Sequence, residues 1–214
     1  ILGRLVGSEM CIRDSCMRLD MAVDGNKNNI VEVNTEPLPP GPANPHNTAF
    51  AARETILENE HSAMRNTNST SSRYWRIENS GKTNRLGRPT AYRLLPSSTA
   101  TMFAAENSPH AQRAMFAKHN LWVTPTDQSE RYAAGDYPTQ RNAGEGLPKF
   151  TANNRSVADT DLTVWHTFGL THDVRLEDYP VMPTEYTGFM LVPDGFFERN
   201  PAIDVAPSQS GHCH

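Results

Sequence analysis

Asp161-Leu162-Thr163-Val164-Trp165-His166-Thr167-Phe168-Gly169-Leu170-Thr171-His172-Asp173-Val174-Arg175-Leu176-Glu177-Asp178-Tyr179-Pro180-Val181-Met182-Pro183 is the stretch that sets the character of this chain. Its first part, Asp161 to Phe168, is dense in β-branched and aromatic side chains, which suit a pleated, buried surface better than a helix. His172 follows that apolar run. After it come Arg175, the acids Glu177 and Asp178, and a Pro-Val-Met-Pro corner in which the prolines stop regular pairing. The stretch therefore reads as a strand, a histidine and a charged, irregular loop.

Working outward, other segments repeat the strand signal. Ile30 to Thr35 alternates apolar and polar residues, as a half-buried strand does. Tyr74 to Glu78 and Thr90 to Leu95 are β-prone and flank a polar loop, Asn79 to Pro89. His119 to Thr124 and Gly188 to Val192 add two more strands. Ala134 to Pro138 and Gly144 to Pro148 are turn clusters. Ser108 to Ala117 offers a capping serine, a proline at the first helical position and good helix formers, and predicts one short helix. Val23-Asp24-Gly25-Asn26 is a natural turn. Strands at short intervals, separated by proline and glycine, predict a mostly β chain folded as a β-sandwich.

Composition agrees. Hydrophobic residues make up 37% and charged residues 21% of 214, with 16 prolines and 13 glycines, a balance that favours short strands and ordered loops over a helical bundle. A net charge of −4 gives no electrostatic reason to expect nucleic acid or an anionic membrane. No apolar run approaches the ~20 residues that span a bilayer. Cys11, Cys16 and Cys213 have neither disulfide-framework nor zinc spacing, and the compartment is left open. Gly211-His212-Cys213-His214 reads as a tail. Asn68-Ser69-Thr70 and Asn154-Arg155-Ser156 match glycosylation acceptors, a pattern that recurs by chance. Ile1 to Ser15 has no periodicity and lacks the basic start and long apolar centre of a signal peptide. It reads as a non-native leader, with residues 16–214 as the native part.

The block His166 to Pro183, with Gly195-Phe196-Phe197-Glu198-Arg199-Asn200-Pro201-Ala202-Ile203-Asp204-Val205 and Arg18-Leu19-Asp20, resembles the copper-containing, topaquinone-dependent primary-amine oxidases. The resemblance spans Arg18 to about Pro207 and implies the C-terminal part of the family's large catalytic β-sandwich. It also implies extended structure within Ala49 to Arg65, whose Ala, Glu, Met and Leu content favours a helix while its apolar residues make a poor helical stripe.

His172 corresponds to the third copper ligand of that family. Taken alone, a loop histidine is more often a hydrogen-bonding residue, and one imidazole cannot hold copper selectively. The family's other two ligands form a His-x-His pair directly before Arg-Leu-Asp. The matching positions here are Cys11 and Arg13, and an arginine is always protonated and cannot ligate a metal. Met182 corresponds to a methionine packed near the copper, although an ordinary packing role is as natural for it. Asp20, Met21, Asp161 and Leu162 correspond to a second site for calcium or manganese, built from two carboxylates and two backbone carbonyls. Ala22 stands where many members have a third aspartate. On spacing alone, Asp20 and Asp161 read as strand-edge acids facing solvent. Glu177 and Asp178 beside Arg175 read as a salt-bridged loop rather than a relay to His172.

Topaquinone forms from a tyrosine between Asn and Asp or Glu, and none of the six tyrosines has that setting. The family's aspartate base also lies upstream of this chain. The resemblance thus implies a parent enzyme, a homodimer, that converts a primary amine, O2 and water to an aldehyde, ammonia and hydrogen peroxide. The 214-residue chain is expected to be inactive by itself. The rival reading is a cation-stabilised β-sandwich with a binding or structural role and no catalysis.

Overall fold

The computed structural model describes residues 11–97, 99, 102–140 and 143–206. In chain order its strands are β1 (Cys11–Met21), β2 (Asn28–Pro37), β3 (Phe50–Leu57), β4 (Tyr74–Thr83), β5 (Pro89–Pro96), β6 (Leu121–Pro125), β7 (Leu162–His172) and β8 (Phe189–Asp194), with short helices α1 (Pro109–Arg113) and α2 (Leu147–Phe150). All strand pairs are antiparallel. They form a three-stranded sheet ordered β1-β7-β6 and a five-stranded sheet ordered β3-β2-β4-β5-β8.

The core lies between the two sheets. Alternation along a strand sends every second side chain to the same face. Leu162 and Val164 of β7, Met21 of β1, and Leu121 and Val123 of β6 therefore meet Ile30, Trp75, Ile77 and Leu94 of the larger sheet. On β6 and β7 the intervening residues do not face water. Trp122 and Trp165 pack with Leu147 in a second cluster on the outer face of the three-stranded sheet, backed by Phe116 and Phe150. Burying an aromatic side chain of 150–250 Å² at ~25 cal/mol/Å² stabilises by roughly 4–6 kcal/mol, so each tryptophan matters on its scale. Double-sided burial shows in Leu162 to Thr167, all six of which are buried although Thr163, His166 and Thr167 are polar.

The sandwich expectation holds, with local corrections. β4 does not end at Glu78 but runs through a register shift to Thr83. The loop that follows shrinks because the Asn84 side-chain oxygen accepts the N–H groups of Leu86 and Arg88, closing a tight turn. In Ala49 to Arg65 only Phe50–Leu57 is a strand, and beyond it Asn59 and Ser62 hold an irregular turn. The expected helix is capped as read, by the Ser108 hydroxyl accepting from Ala111, but is shorter and passes into a 3-10 turn at Met115–Lys118. The turn cluster at Gly144 to Pro148 leads directly into α2, a helical turn not foreseen.

β7 is longer than expected and carries His172 as its last residue. Past the end of β6, the Thr99 hydroxyl takes over from the missing strand. It accepts from the Gly169 N–H and donates to the Gly169 carbonyl. On the other side β1 pairs with the full length of β7, from Cys11 opposite His172 to Met21 opposite Leu162. Cys11 to Ser15, read from sequence as part of a leader, thus continue the strand. Residues 1–10 and the tail at 211–214 lie outside the described residues.

Candidate functional site

His172 sits at the end of β7 on the same strand face as Leu162 and Val164, turned toward the gap between the sheets. Its ring is 7% exposed. Each nitrogen meets a carboxylate: Nδ1 lies 3.1 Å from Glu185 Oε1 and Nε2 lies 3.0 Å from Asp178 Oδ2. Asp178 is itself anchored. Its carboxylate accepts the Arg175 backbone N–H at 2.8 Å and the Arg175 guanidinium at 3.2 Å. The backbone N–H from Arg175 holds the Asp178 carboxyl below its usual range, and the charges of Arg175 and His172 add to that effect. An imidazole bracketed on both nitrogens has a fixed ring orientation, as a metal ligand requires of its non-ligating side.

Asp178 therefore belongs both to the salt-bridged loop read from sequence and to the histidine. Glu185 was not foreseen as a partner. It lies thirteen residues beyond His172, in an irregular segment with no period to signal its return. Met182, in the same loop, is 46% exposed.

The strand register brings positions 11 and 13 beside His172, since Cys11 is its direct partner and Arg13 is opposite Leu170. A copper centre of three imidazoles would need histidines there. Among the described residues no three His, Cys, Asp or Glu side chains converge so as to hold a metal ion. The carboxylates at His172 approach opposite edges of its ring rather than one point. The residues present do not fit a three-histidine copper site.

The second cluster is at the other end of the same two strands. Met21 and Leu162 are direct partners with buried side chains, so only their carbonyls are available as ligands. Asp20 is opposite Thr163, and Asp161 precedes Leu162 in the chain. Asp161 is thereby a diagonal neighbour of Asp20 on the outer face, a relation that separates Cα atoms by about 7–8 Å. The Asp20 side chain is 47% exposed and lies 3.8 Å from the Arg18 guanidinium. The Asp161 carbonyl accepts the Thr126 N–H at 2.9 Å. Asp161 and His172 are an odd number of residues apart, so they point to opposite faces of the sheet, on the order of 35 Å apart along the strand.

One further histidine gives no sequence signal of its environment. His166 is fully buried between the sheets. Its ring is stacked on Phe168 at 5.7 Å and edge-on to Phe189 at 5.0 Å, with Trp75 6.0 Å away. Nδ1 lies 2.8 Å from the Asn120 carbonyl, to which it donates, while Nε2 has no hydrogen-bond partner. Burial pushes its pKa down to about 4.

Residues 15–212 match the family model described as copper amine oxidase, enzyme domain. Histamine oxidase of Arthrobacter globiformis is 45% identical over 196 residues, covering 92% of this chain and 29% of that protein. A primary amine oxidase of Arthrobacter sp. (strain P1) is 46% identical over 195 residues, covering 91% of this chain and 30% of that protein. Among solved structures, the copper-containing benzylamine oxidase from Hansenula polymorpha superposes with a TM-score of 0.86 at 33% identity, covering 92% of this chain and 31% of that one. The chain thus spans about 30% of the length of the curated relatives it matches.

Proposed function

The chain belongs to the copper amine oxidase family, and from that membership we propose that it is the C-terminal part of a copper- and topaquinone-dependent primary-amine oxidase. The parent converts a primary amine, O2 and water to an aldehyde, ammonia and hydrogen peroxide, and works as a homodimer. What supports this reading is a single juxtaposition. His172, at the end of β7, stands across from positions 11 and 13 of β1, two positions that share a strand face as a His-x-His pair would. In the parent His172 is a copper ligand and Asp178 holds its far side. Asp20 and Asp161, with the Met21 and Leu162 carbonyls, hold a calcium or manganese ion whose shell water completes in place of the side chain that Ala22 lacks. Met182 packs near the copper once the rest of the domain covers its loop.

The chain itself is inactive toward amines and takes up no stoichiometric copper, because one imidazole is present where three are needed. Metal analysis after copper loading and desalting tests this. The expected result is well below one copper per chain. One tightly held copper per chain, abolished by His172→Ala, would overturn it. A binding or structural module without catalysis describes the isolated chain, for which the cation site would serve only stability.

A further inference from the structure

The long connection from β6 to β7 folds back over the outer aromatic cluster, where Ala133 and Phe150 pack with Trp122 and Trp165. Two arginines hold it there. Arg18 of β1 lies over the Trp165 ring and donates through Nε to the Glu130 carbonyl at 3.1 Å. Arg155 is anchored to fully buried Glu60, whose carboxylate accepts both its backbone N–H and its Nε. From that anchor Nη2 of Arg155 reaches Glu130 Oε1 at 2.7 Å. One guanidinium thus serves two carboxylates. Glu60 has both oxygens bonded, but Glu130 has only one, since Oε2 is buried without a hydrogen-bond partner on a side chain 10% exposed.

The surrounding charges do not make up the deficit. Asp127, three residues before Glu130, is kept ionised by the Ser129 hydroxyl and N–H, which hold its carboxyl below the usual range. Arg18 is shared with Asp20, 3.8 Å away. The pocket beside the cluster is also lined by Arg131, Asp136, Glu145 and Lys149, two of each sign, with Lys149 paired to Glu145. Glu60, Asp127 and Glu130 therefore stand against Arg155, and negative charge is in excess. From this we propose that Glu130 is a proton-linked latch: the docked loop takes up a proton at Oε2 and opens more readily when that oxygen is ionised.

Protonation at Oε2 leaves Oε1 accepting from Arg155, so the latch keeps its bond and sheds the unpaired charge. A neutral carboxyl costs far less to bury than a carboxylate whose second oxygen has no partner. Burial raises the Glu130 carboxyl above its usual range; the bond and charge of Arg155 oppose this, and the charges of Asp127 and Glu60 add to it. A group whose pKa is higher docked than free binds more protons when docked. Docking therefore strengthens as pH falls toward the raised pKa and weakens above it. The opposite link, an ion pair broken by acid, would hold if Glu130 were fully paired. The proposal does not depend on the oxidase reading.

Amide hydrogen exchange of the full chain as a function of pH tests it, corrected for the intrinsic pH dependence of exchange. The reporters are the N–H groups of Glu130, bonded to the Asp127 carbonyl, and of Leu147, bonded to the Ala133 carbonyl, both within the loop. Local opening is read apart from global unfolding, on which His166 acts. The expected result is protection that rises on acidification, approaching a limit of about tenfold per pH unit above the docked pKa because one proton is linked. Glu130→Gln, neutral at every pH, should abolish that dependence. Asp127→Asn removes a repelling charge and should move the rise to lower pH. Protection that is flat or falls with acid in the unsubstituted chain, a Glu130→Gln chain with unchanged pH dependence, or an unmoved rise in Asp127→Asn would each overturn the proposal.

Discussion

Lowering the pH should destabilise this fold through His166 more than through any surface group. The side chain is fully buried, Nε2 has no partner, and burial holds its pKa at about 4 against the 6.5 of a free imidazole. Below the unfolded value the unfolded chain takes up a proton that the folded chain refuses. Stability is therefore complete above about pH 6.5 and falls as pH drops toward about 4. Linkage over that window amounts to about 3 kcal/mol in full and about 2 kcal/mol by pH 5. For a chain of this size 1 kcal/mol moves Tm by roughly 2–4 °C, so His166 alone should lower Tm by about 4–8 °C between pH 7.5 and pH 5. His166→Phe isolates the effect. The ring keeps its place among Trp75, Phe168 and Phe189, and the Asn120 carbonyl still accepts the Thr167 N–H at 2.9 Å. The lost Nδ1 hydrogen bond costs about 1 kcal/mol, offset by no longer burying an unpartnered nitrogen. Thermal and urea melts of both proteins from pH 7.5 to 4.5 should then show a shallower acid limb for the variant. His119, also depressed by burial, is common to both and cancels. Parallel curves for the two proteins would refute the reasoning.

Two further outcomes follow from charged groups. Arg155 donates to fully buried Glu60 through Nε at 2.9 Å and to Glu130 at 2.7 Å, so Arg155→Ala should destabilise by about 3 kcal/mol, measured by urea denaturation, since it leaves two carboxylates uncompensated; a loss under about 1 kcal/mol would show that the guanidinium is dispensable. Calcium should raise Tm by mass action, and Asp161→Ala should abolish the rise; an unchanged calcium response would remove Asp161 from the cation site.

Strands were legible from β-prone residues more than from which face is covered. β2 lies where Ile30 to Thr35 was read as a strand, but Ile30, Val31, Glu32 and Val33 are all buried, so it is covered on both faces rather than half-buried. Boundaries were less legible where the partner is not another strand. β7 reaches His172 only because a threonine hydroxyl at position 99 replaces β6 beside Gly169, a contact across 70 residues that no local period records. The extension of β4 to Thr83 has the same origin, since it is the Asn84 turn that brings the two strands together. α2 was invisible because its four residues are too few for a helical stripe, and its start depends on Gly146 at φ 74.

The site divides along similar lines, and the division bears on what the chain can do alone. His172, Asp20 and Asp161 were singled out by resemblance to a family, and the pairing of β1 with β7 sets Asp20 diagonal to Asp161 with His172 at the opposite end of β7. The partners of His172 come instead from the irregular loop after β7, where Asp178 was visible in sequence but its second bond was not, and Glu185 left no trace. Those two carboxylates hold the imidazole, and they differ in how firmly they are held. Asp178 is 5% exposed and tied by two bonds to Arg175, whereas Glu185 is 34% exposed. Detaching Glu185 returns a carboxylate to solvent at little cost, but detaching Asp178 would break its bonds to Arg175 as well. Nδ1, on the Glu185 side, is therefore the edge of the ring that opens more readily, and Nε2 stays with Asp178.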